Sequence, residues 1–164
     1  QLNPGIVIEV LVPDFSESEA SIEVVLEAAP HIFNHNLETV RRLTPHVRHR
    51  ATYDRSLSVL ATVKARRGNS IYTKSGIMLG LGETREEVIV AMEDLRRAQC
   101  DILTLGQYLQ PSVKHLPVTE FVPPAIFEEL GNEAVRMGFT HVASGPMVRS
   151  SYHADEFSLP SERR

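Results

Sequence analysis

The sequence predicts an α/β protein whose parallel strand–helix repeats form part of a barrel or an open doubly wound sheet. Short apolar runs rich in β-branched residues alternate with stretches whose apolar residues recur every three or four positions, and glycines and prolines separate them. This alternation is typical of parallel strands joined by helical crossovers. Periodicity does not choose between the two architectures, but in both of them ligands bind at the carboxyl ends of the strands.

The first part of the chain predicts two strands and two helices. Residues 6–12 (IVIEVLV) indicate a buried strand, and residues 31–36 (HIFNHN) indicate a short second strand. Between them, residues 16–19 (SESE) have the spacing of a capping box, and the helix behind it stops at Pro30. A second helix is predicted over residues 53–67, where apolar residues keep helical spacing.

The middle of the chain continues the alternation. Residues 71–79 (IYTKSGIML) predict the third strand, and residues 84–87 (TREE) form a second capping box in front of an amphipathic helix. Residues 102–105 (ILTL) predict the fourth strand, which we expect Gly106 to end. The middle of the chain therefore predicts a strand, a helix and another strand.

The last part of the chain predicts one more helix. The prolines at 123 and 124 suit its first turn, because a missing N–H costs little there. Its predicted buried face consists of Ile126, Leu130, Ala134 and Met137. A short apolar run over residues 140–143 then leads to a polar C-terminal segment.

The composition excludes several functional classes. The chain has 164 residues, with 17 Lys and Arg against 21 Asp and Glu and a net charge of −4, so no basic surface indicates nucleic-acid binding. No apolar stretch approaches the roughly 20 residues that a membrane span needs, and the first residues show no signal-like run. The single cysteine, Cys100, excludes an internal disulfide, a cysteine-rich zinc site and a self-contained iron–sulfur cluster, and its surroundings favour a buried apolar role.

Three polar segments follow predicted strands and are therefore expected to share one site. They are residues 34–38, 80–83 and 107–110. Asn36 and Glu38 alternate by two, so on an extended backbone both face one side, where they suit the hydroxyls of a ribose. A turn at Asn36 with Glu38 capping the next helix is an alternative.

Glycines lie near and just after the carboxyl end of the third predicted strand. Gly76, Gly80 and Gly82 would let the backbone approach a ligand closely, and the helix that follows favours an anionic group. The alternative is a tight strand-to-helix turn in which Glu83 lies near the helix dipole.

Other polar residues are less specific. Gln107 lies in a segment that could simply be a loop, and His35 is predicted to face away from Asn36 and Glu38 and to be structural. The seven histidines lack helical metal-ligand spacing. Residues 145–153, which include Arg149, suit either an anion site or a solvated tail.

Taken together, several ordered segments resemble lipoyl synthase, a family of the radical S-adenosylmethionine superfamily, over residues 4–156. The matching segments are LVPDF (11–15), NHNLETV (34–40), TKSGIMLGLGET (73–84), DILTLGQYLQPS (101–112), KHLPV (114–118) and ASGPMVRSSYHADE (143–156). The resemblance implies a partial TIM-like barrel that inserts sulfur at C6 and C8 of an octanoyl chain on a lysine of a lipoyl carrier protein. It also implies S-adenosylmethionine and two [4Fe–4S] clusters, one to cleave S-adenosylmethionine and one to donate sulfur.

The resemblance also implies roles for single residues. Residues 76–83 match the G-x-I-x-G-x-x-E element that touches the adenosine, with Met78 in place of isoleucine, while Asn36 and Glu38 match the ribose and methionine side. Ser151 matches a serine that ligates the auxiliary cluster, with Ser150 as the alternative. The implied cofactor-binding residues are Asn36, Glu38, Gly76, Met78, Gly80, Glu83 and Gln107, and no catalytic residue is assigned.

The sequence departs from the family pattern in its cysteines. The family carries C-x4-C-x5-C and C-x3-C-x2-C upstream of the matching region, and neither motif is present in these 164 residues. We therefore expect a C-terminal half, with residues 1–148 forming half of the barrel domain and residues 149–164 a tail, that is inactive alone. An alternative is a non-catalytic half-barrel that binds a nucleotide or a carrier protein, and a weaker one is an unrelated doubly wound phosphate-binding protein.

The resemblance implies partners as well. These are octanoylated carriers, namely the glycine cleavage H protein and the E2 domains of 2-oxoacid dehydrogenases, and an electron donor such as ferredoxin or flavodoxin. No nucleic acid or membrane partner is expected. The expected location is the bacterial cytoplasm or an organelle.

Overall fold

The computed structural model describes residues 6–150, which form five parallel strands and five α-helices. The strands are β1 (Glu9–Leu11), β2 (Ile32–Asn34), β3 (Tyr72–Leu79), β4 (Ile102–Gln107) and β5 (His141–Ser144). The helices are α1 (Glu19–Glu27), α2 (Thr44–Val47), α3 (Tyr53–Arg67), α4 (Arg85–Arg97) and α5 (Pro124–Arg136). The predicted α/β class with parallel strands is confirmed, and the run over residues 140–143 becomes part of a fifth strand.

The strands lie side by side in chain order, β1-β2-β3-β4-β5, and every neighbouring pair is parallel. In a doubly wound sheet, the direction in which successive strands are added reverses at a switch point. The strands within residues 6–150 show no such reversal. Each crossover carries at least one α-helix. This arrangement is compatible with a segment of a partial barrel.

The two faces of the sheet bury different side chains, because successive residues of a strand point to opposite sides. On the helical face, Phe33 and Leu103 belong to the main core together with Leu60 of α3 and Met92 of α4, and none of these four is accessible to solvent. On the other face, called the inner face below, a small cluster is formed by Ile32, Tyr72 and Ile102. The inner face would point into a barrel.

Side-chain caps fix where the helices begin. Thr52 accepts a hydrogen bond from the Arg55 N–H at the start of α3, and the predicted capping box of Thr84 and Glu87 begins α4 with both of its bonds formed. The predicted N-terminal cap of α1, Ser16, was wrong by two residues. Ser18 caps this helix, because residues 15–17 form a separate 3₁₀ turn.

Three further predictions need correction, and one helix was missed. The first strand is shorter than residues 6–12 and is not buried, because it lies at the edge of the sheet and leaves Leu11 60% exposed. Gly106 does not end β4, which continues to Gln107. On α5, Leu130 and Ala134 are buried as predicted, but Ile126 is 36% exposed and its neighbour Phe127 is buried in its place. The short helix α2 was not predicted.

Within residues 6–150, no helix is both long and apolar enough to cross a membrane.

Candidate functional site

A cleft of about 220 Å³ lies at the carboxyl ends of β2, β3 and β4. Five of the seven residues predicted to bind a cofactor line it: Asn36, Glu38, Gly76, Met78 and Gln107. They come from three segments far apart in the chain, and the parallel register of the strands brings them together. The cleft is therefore the candidate site, and it is called the first cleft below.

Asn36 presents an unused acceptor to the first cleft. Its side-chain amide donates to the carboxylate of Glu38, whereas its buried Oδ1 has no hydrogen-bond partner among the described residues. A buried amide oxygen without a partner costs free energy unless a ligand or water supplies a donor. A ribose hydroxyl is a donor of the right kind.

Glu38 has an unusual backbone conformation at the edge of the first cleft. Its φ of 71° lies in the left-handed region, which costs free energy for a residue with a side chain. The conformation is held from both sides, because the Glu38 N–H donates to the Gly76 carbonyl over 2.9 Å and the Met78 N–H donates to the Glu38 carbonyl over 2.8 Å. Burial raises the pKa of the Glu38 carboxyl, against the smaller opposing effects of Asn36 and Arg48.

Two glycines keep the floor of the first cleft open. A Cβ atom on Gly76 would lie 2.7 Å from Thr104 Oγ1 and 3.1 Å from Asn36 Oδ1. A Cβ atom on Gly106 would lie 2.3 Å from the carbonyl oxygen of Val148, which belongs to the segment after β5. Gly106 is therefore glycine because another backbone crosses it closely, and not because a strand ends there.

A hydrogen-bond network behind the first cleft holds the irregular segment that contains Asn36. Arg48 Nη1 donates to the Asn36 carbonyl over 3.0 Å and to Ser56 Oγ over 2.8 Å. His35 is buried and faces away from Asn36, with its Nε2 3.0 Å from Ser56 Oγ and its Nδ1 2.9 Å from the Val12 carbonyl oxygen. Burial lowers the pKa of His35, so the ring is neutral and structural, as predicted.

The segment after β5 covers part of the inner face. Arg149 and Ser150 both line the first cleft, and Arg149 Nη1 donates to the Val148 carbonyl over 2.9 Å. The carbonyl of Ser150 accepts from Lys74 Nζ, which also forms a buried ion pair with Glu9. Ser151, the predicted cluster ligand, lies outside the described residues.

Gly80, Glu83 and Gln107 make contacts within the protein. The Glu83 carboxylate accepts from the backbone N–H groups of Gly80 over 2.6 Å and Leu81 over 2.9 Å, so it closes the turn between β3 and α4. Neither Gly80 nor Glu83 lines the first cleft. The Gln107 amide donates to the Tyr108 and Glu120 carbonyls, and its Oε1 accepts from the Val122 N–H.

The described residues contain no group of three His, Cys, Asp or Glu side chains that could hold a metal ion. The Cys100 thiol is inaccessible, lies within hydrogen-bond distance of the Thr73 and Ile102 carbonyls, and has a pKa raised to about 12 by burial. A thiol in this environment is a poor iron ligand, because metals bind the thiolate. The apolar role predicted for Cys100 is confirmed by its burial.

Sequence reasoning missed several residues of the first cleft. Thr104 has no motif of its own, but it is the register partner of Gly76 and so faces the same cleft. Gly106 was assigned only to the end of a strand. Every second residue of a strand faces the same side of the sheet, and so do the register partners on the neighbouring strand. Applied to Gly76 and Met78, this rule would have found both Thr104 and Gly106.

The chain is similar to curated proteins named lipoyl synthase. It is 51% identical to that of Treponema denticola over 97% of the chain and 54% of the relative. It is 60% identical to lipoyl synthase 2 of Gloeobacter violaceus over 94% of the chain and 53% of the relative, and 58% identical to the protein of Bacillus mycoides over 94% and 51%. The chain thus spans about half the length of the curated relatives it matches. No protein-family model matches it.

Proposed function

Because the chain belongs to the lipoyl synthase family, we propose that it forms the nucleoside-binding part of an enzyme that inserts sulfur at C6 and C8 of a protein-bound octanoyl-lysine. The observation that carries this proposal is the first cleft, in which the buried Asn36 Oδ1 has no hydrogen-bond partner within residues 6–150 and lies beside the open backbone of Gly76. An unsatisfied acceptor beside bare backbone fits a nucleoside better than an apolar ligand.

The residues of the first cleft fit S-adenosylmethionine. Asn36 and Glu38 would hold the ribose hydroxyls, since one offers an amide oxygen and the other a carboxylate. Gly76 and Met78 would lie against the adenosine, with Gly76 leaving room and Met78 offering a polarizable surface. Gly80, Glu83 and Gln107 would act indirectly, by fixing the turn after β3 and the loop after β4. When bound there and reductively cleaved, S-adenosylmethionine would supply the carbon radical that removes hydrogen from the octanoyl chain.

The chain's own residues would shield and orient that reaction. The first cleft is bounded on one side by the Val148–Ser150 segment, which Lys74 holds against the inner face through the Ser150 carbonyl. Such a segment excludes water from a reactive site and limits the directions from which a substrate can enter.

Iron–sulfur clusters do not fit the described residues, which offer no ligand group and only the buried Cys100. Ser151 would provide one oxygen ligand for an auxiliary cluster, and one ligand does not hold a cluster. We therefore assign binding and positioning to these 164 residues, and the cluster cysteines to sequence outside them. Alone, the chain would be inactive.

The proposal includes the family's partners. The substrate would be an octanoylated carrier, either the glycine cleavage H protein or an E2 domain of a 2-oxoacid dehydrogenase. Ferredoxin or flavodoxin would supply electrons. The bacterial cytoplasm, or an organelle, is the expected location.

The proposal is tested by supplying the missing cysteines. The chain is incubated with S-adenosylmethionine, a reductant, iron, sulfide and a peptide that carries octanoyl-lysine, alone and together with a co-expressed polypeptide covering the rest of the Bacillus mycoides relative. We expect 5′-deoxyadenosine and sulfur insertion only in the combined sample, with an Asn36→Ala chain as the negative control.

Each outcome has a definite meaning. Formation of 5′-deoxyadenosine by the chain alone would contradict the assignment of the clusters to other sequence. A well-assembled combined sample that binds S-adenosylmethionine but forms no product would favour the non-catalytic half-barrel.

A further inference from the structure

A second and larger cleft lies beside the first one. Its volume is about 570 Å³, and the two clefts share Glu38, Met78 and Leu109. Its positively charged and imidazole side chains are His46, Arg48, His49, Lys114 and His115. We call this second cleft the basic groove. It runs from the region of α2 to the loop that follows β4.

Among the described residues, neither Arg48 nor Lys114 of the basic groove forms an ion pair, although Arg48 acts electrostatically on the Glu38 carboxyl. Within residues 6–150, Arg48 donates only to the neutral Asn36 carbonyl and Ser56 hydroxyl, and Lys114 forms no ion pair. Several arginines outside the groove form ion pairs, as Arg42 does with Glu87 and Arg85 with Glu129. Unpaired positive charge gathered in a concavity attracts an anionic partner.

The same groove also offers apolar surface. Val47, Leu81, Tyr108 and Leu116 line it next to the charged residues. Glu38, at the boundary with the first cleft, is the one carboxylate among its described lining residues. A groove with apolar walls and cationic side chains fits a polypeptide with acidic side chains, because both kinds of surface are then covered.

Hydrogen bonds form the groove in advance. The Tyr108 hydroxyl donates to the Leu116 carbonyl over 2.8 Å, and the Gln110 amide donates to the His115 carbonyl over 2.8 Å. The His115 ring is held in turn, with its Nδ1 2.9 Å from Ser112 Oγ. A preformed surface saves the entropy cost of ordering the loop on binding.

We propose that the basic groove docks an acidic polypeptide segment that flanks the acylated lysine of the protein substrate. This inference rests on the proposed function, because it needs the lysine chain to enter the first cleft. The groove exceeds the volume of a single small anion, and its continuity with the first cleft at Glu38 and Met78 lets a peptide lie across it while one side chain turns inward.

The test compares labelled peptides that carry octanoyl-lysine and differ only in their flanking residues, Glu and Asp in one and Gln and Asn in the other. Binding to the chain is measured by fluorescence anisotropy at several salt concentrations. We expect the acidic peptide to bind about tenfold more tightly and to lose that advantage as salt increases. Equal affinity of the two peptides at low salt would overturn the proposal.

Two charge reversals locate the binding. Lys114→Glu should reduce affinity for the acidic peptide about tenfold and leave the neutral peptide unchanged. Arg136→Glu is the matched control, because it changes the net charge equally on α5, away from the groove, and should have no effect. Equal losses in both variants would mean that only the overall charge matters.

Further arms separate this inference from the proposed function. Sodium acetate and sodium phosphate at matched ionic strength should compete no better than sodium chloride, and selective competition by either would overturn the proposal in favour of a small-anion site. S-adenosylmethionine binding is measured on the same samples. If the acidic and neutral peptides bind with equal affinity while S-adenosylmethionine binds to the chain, only the docking site is rejected. If S-adenosylmethionine does not bind to the unmodified chain, the result counts against the proposed function.

Discussion

Lys74 Nζ lies 2.5 Å from the carbonyl oxygen of Ser150, so a strand in the centre of the sheet holds the segment that follows the last strand. The same ammonium group lies 2.8 Å from Glu9 Oε2, and Glu9 Oε1 accepts from the Asn34 amide over 2.7 Å. Three neighbouring strands thus contribute to one polar row on the inner face. Through Ser150 this row fixes one wall of the first cleft.

Removal of Lys74 should destabilise the chain. Lys74→Met leaves the partly buried Glu9 carboxylate without its cation, and breaking a buried pair costs about 3–5 kcal/mol. The free energy of unfolding is measured by urea denaturation. The double variant Lys74→Met/Glu9→Leu should recover most of the loss, because no unpaired charge remains, whereas equal unfolding midpoints for the single variant and the unmodified chain would contradict the role of the pair.

A methyl group on Gly76 should close the first cleft. The added Cβ would lie 2.7 Å from Thr104 Oγ1, so Gly76→Ala must displace Thr104 or Asn36 from the position that a nucleoside needs. We expect S-adenosylmethionine to bind roughly tenfold more weakly, or worse, by calorimetry. Gly145→Ala is the control, because its Cβ would meet no atom closer than 3.6 Å. Equal weakening in the two variants would refute the steric explanation.

Replacement of Glu38 should change how stability depends on pH. Burial raises the pKa of Glu38, so folding favours its neutral form, and the stability gained in acid is lost as the pH rises through the raised value. Glu38→Gln has no such loss. The melting temperature of the variant relative to the unmodified chain should therefore be higher at about pH 8 than at about pH 4. A difference that is constant over this range would contradict the buried carboxyl.

The Cys100 thiol should be inert in the folded chain. It is inaccessible to solvent, and burial raises its pKa to about 12, so little thiolate forms near neutral pH. A chromogenic disulfide reagent should label it slowly under native conditions and rapidly in guanidinium chloride. Fast native labelling, or bound iron that disappears in Cys100→Ala, would show that this cysteine is available as a ligand.

Local patterns predicted the fold well where caps and periodicity coincide. The helix over residues 53–67 and the capping box at Thr84 are found as predicted, because both depend on neighbouring residues alone. The first strand was predicted to be buried because it is apolar, and its edge position was invisible from the sequence. Likewise, Phe127 and Ile126 are adjacent and both apolar, and only packing decides which one faces the core.

The site was predicted in composition but not in arrangement. Asn36 and Glu38 were expected to share a side of an extended strand, and both line the first cleft. The reason was wrong, because β2 ends at Asn34 and Glu38 has a left-handed backbone conformation. That Glu83 turns to the backbone of Gly80 depends on the path of one turn, which no spacing rule gives. The contact between Gly106 and the Val148 carbonyl joins segments distant in sequence, so it too required the folded structure.

The central claim, that S-adenosylmethionine binds between Asn36 and Gly76, is tested most directly by titrating it into the ¹⁵N-labelled chain and recording amide chemical shifts. We predict that the shifts concentrate at the amides of Glu38, Gly76 and Gly106, with no change at Ser70, which lies outside both clefts. Shifts that are absent at saturating ligand, or that centre on residues outside the first cleft, would contradict the account.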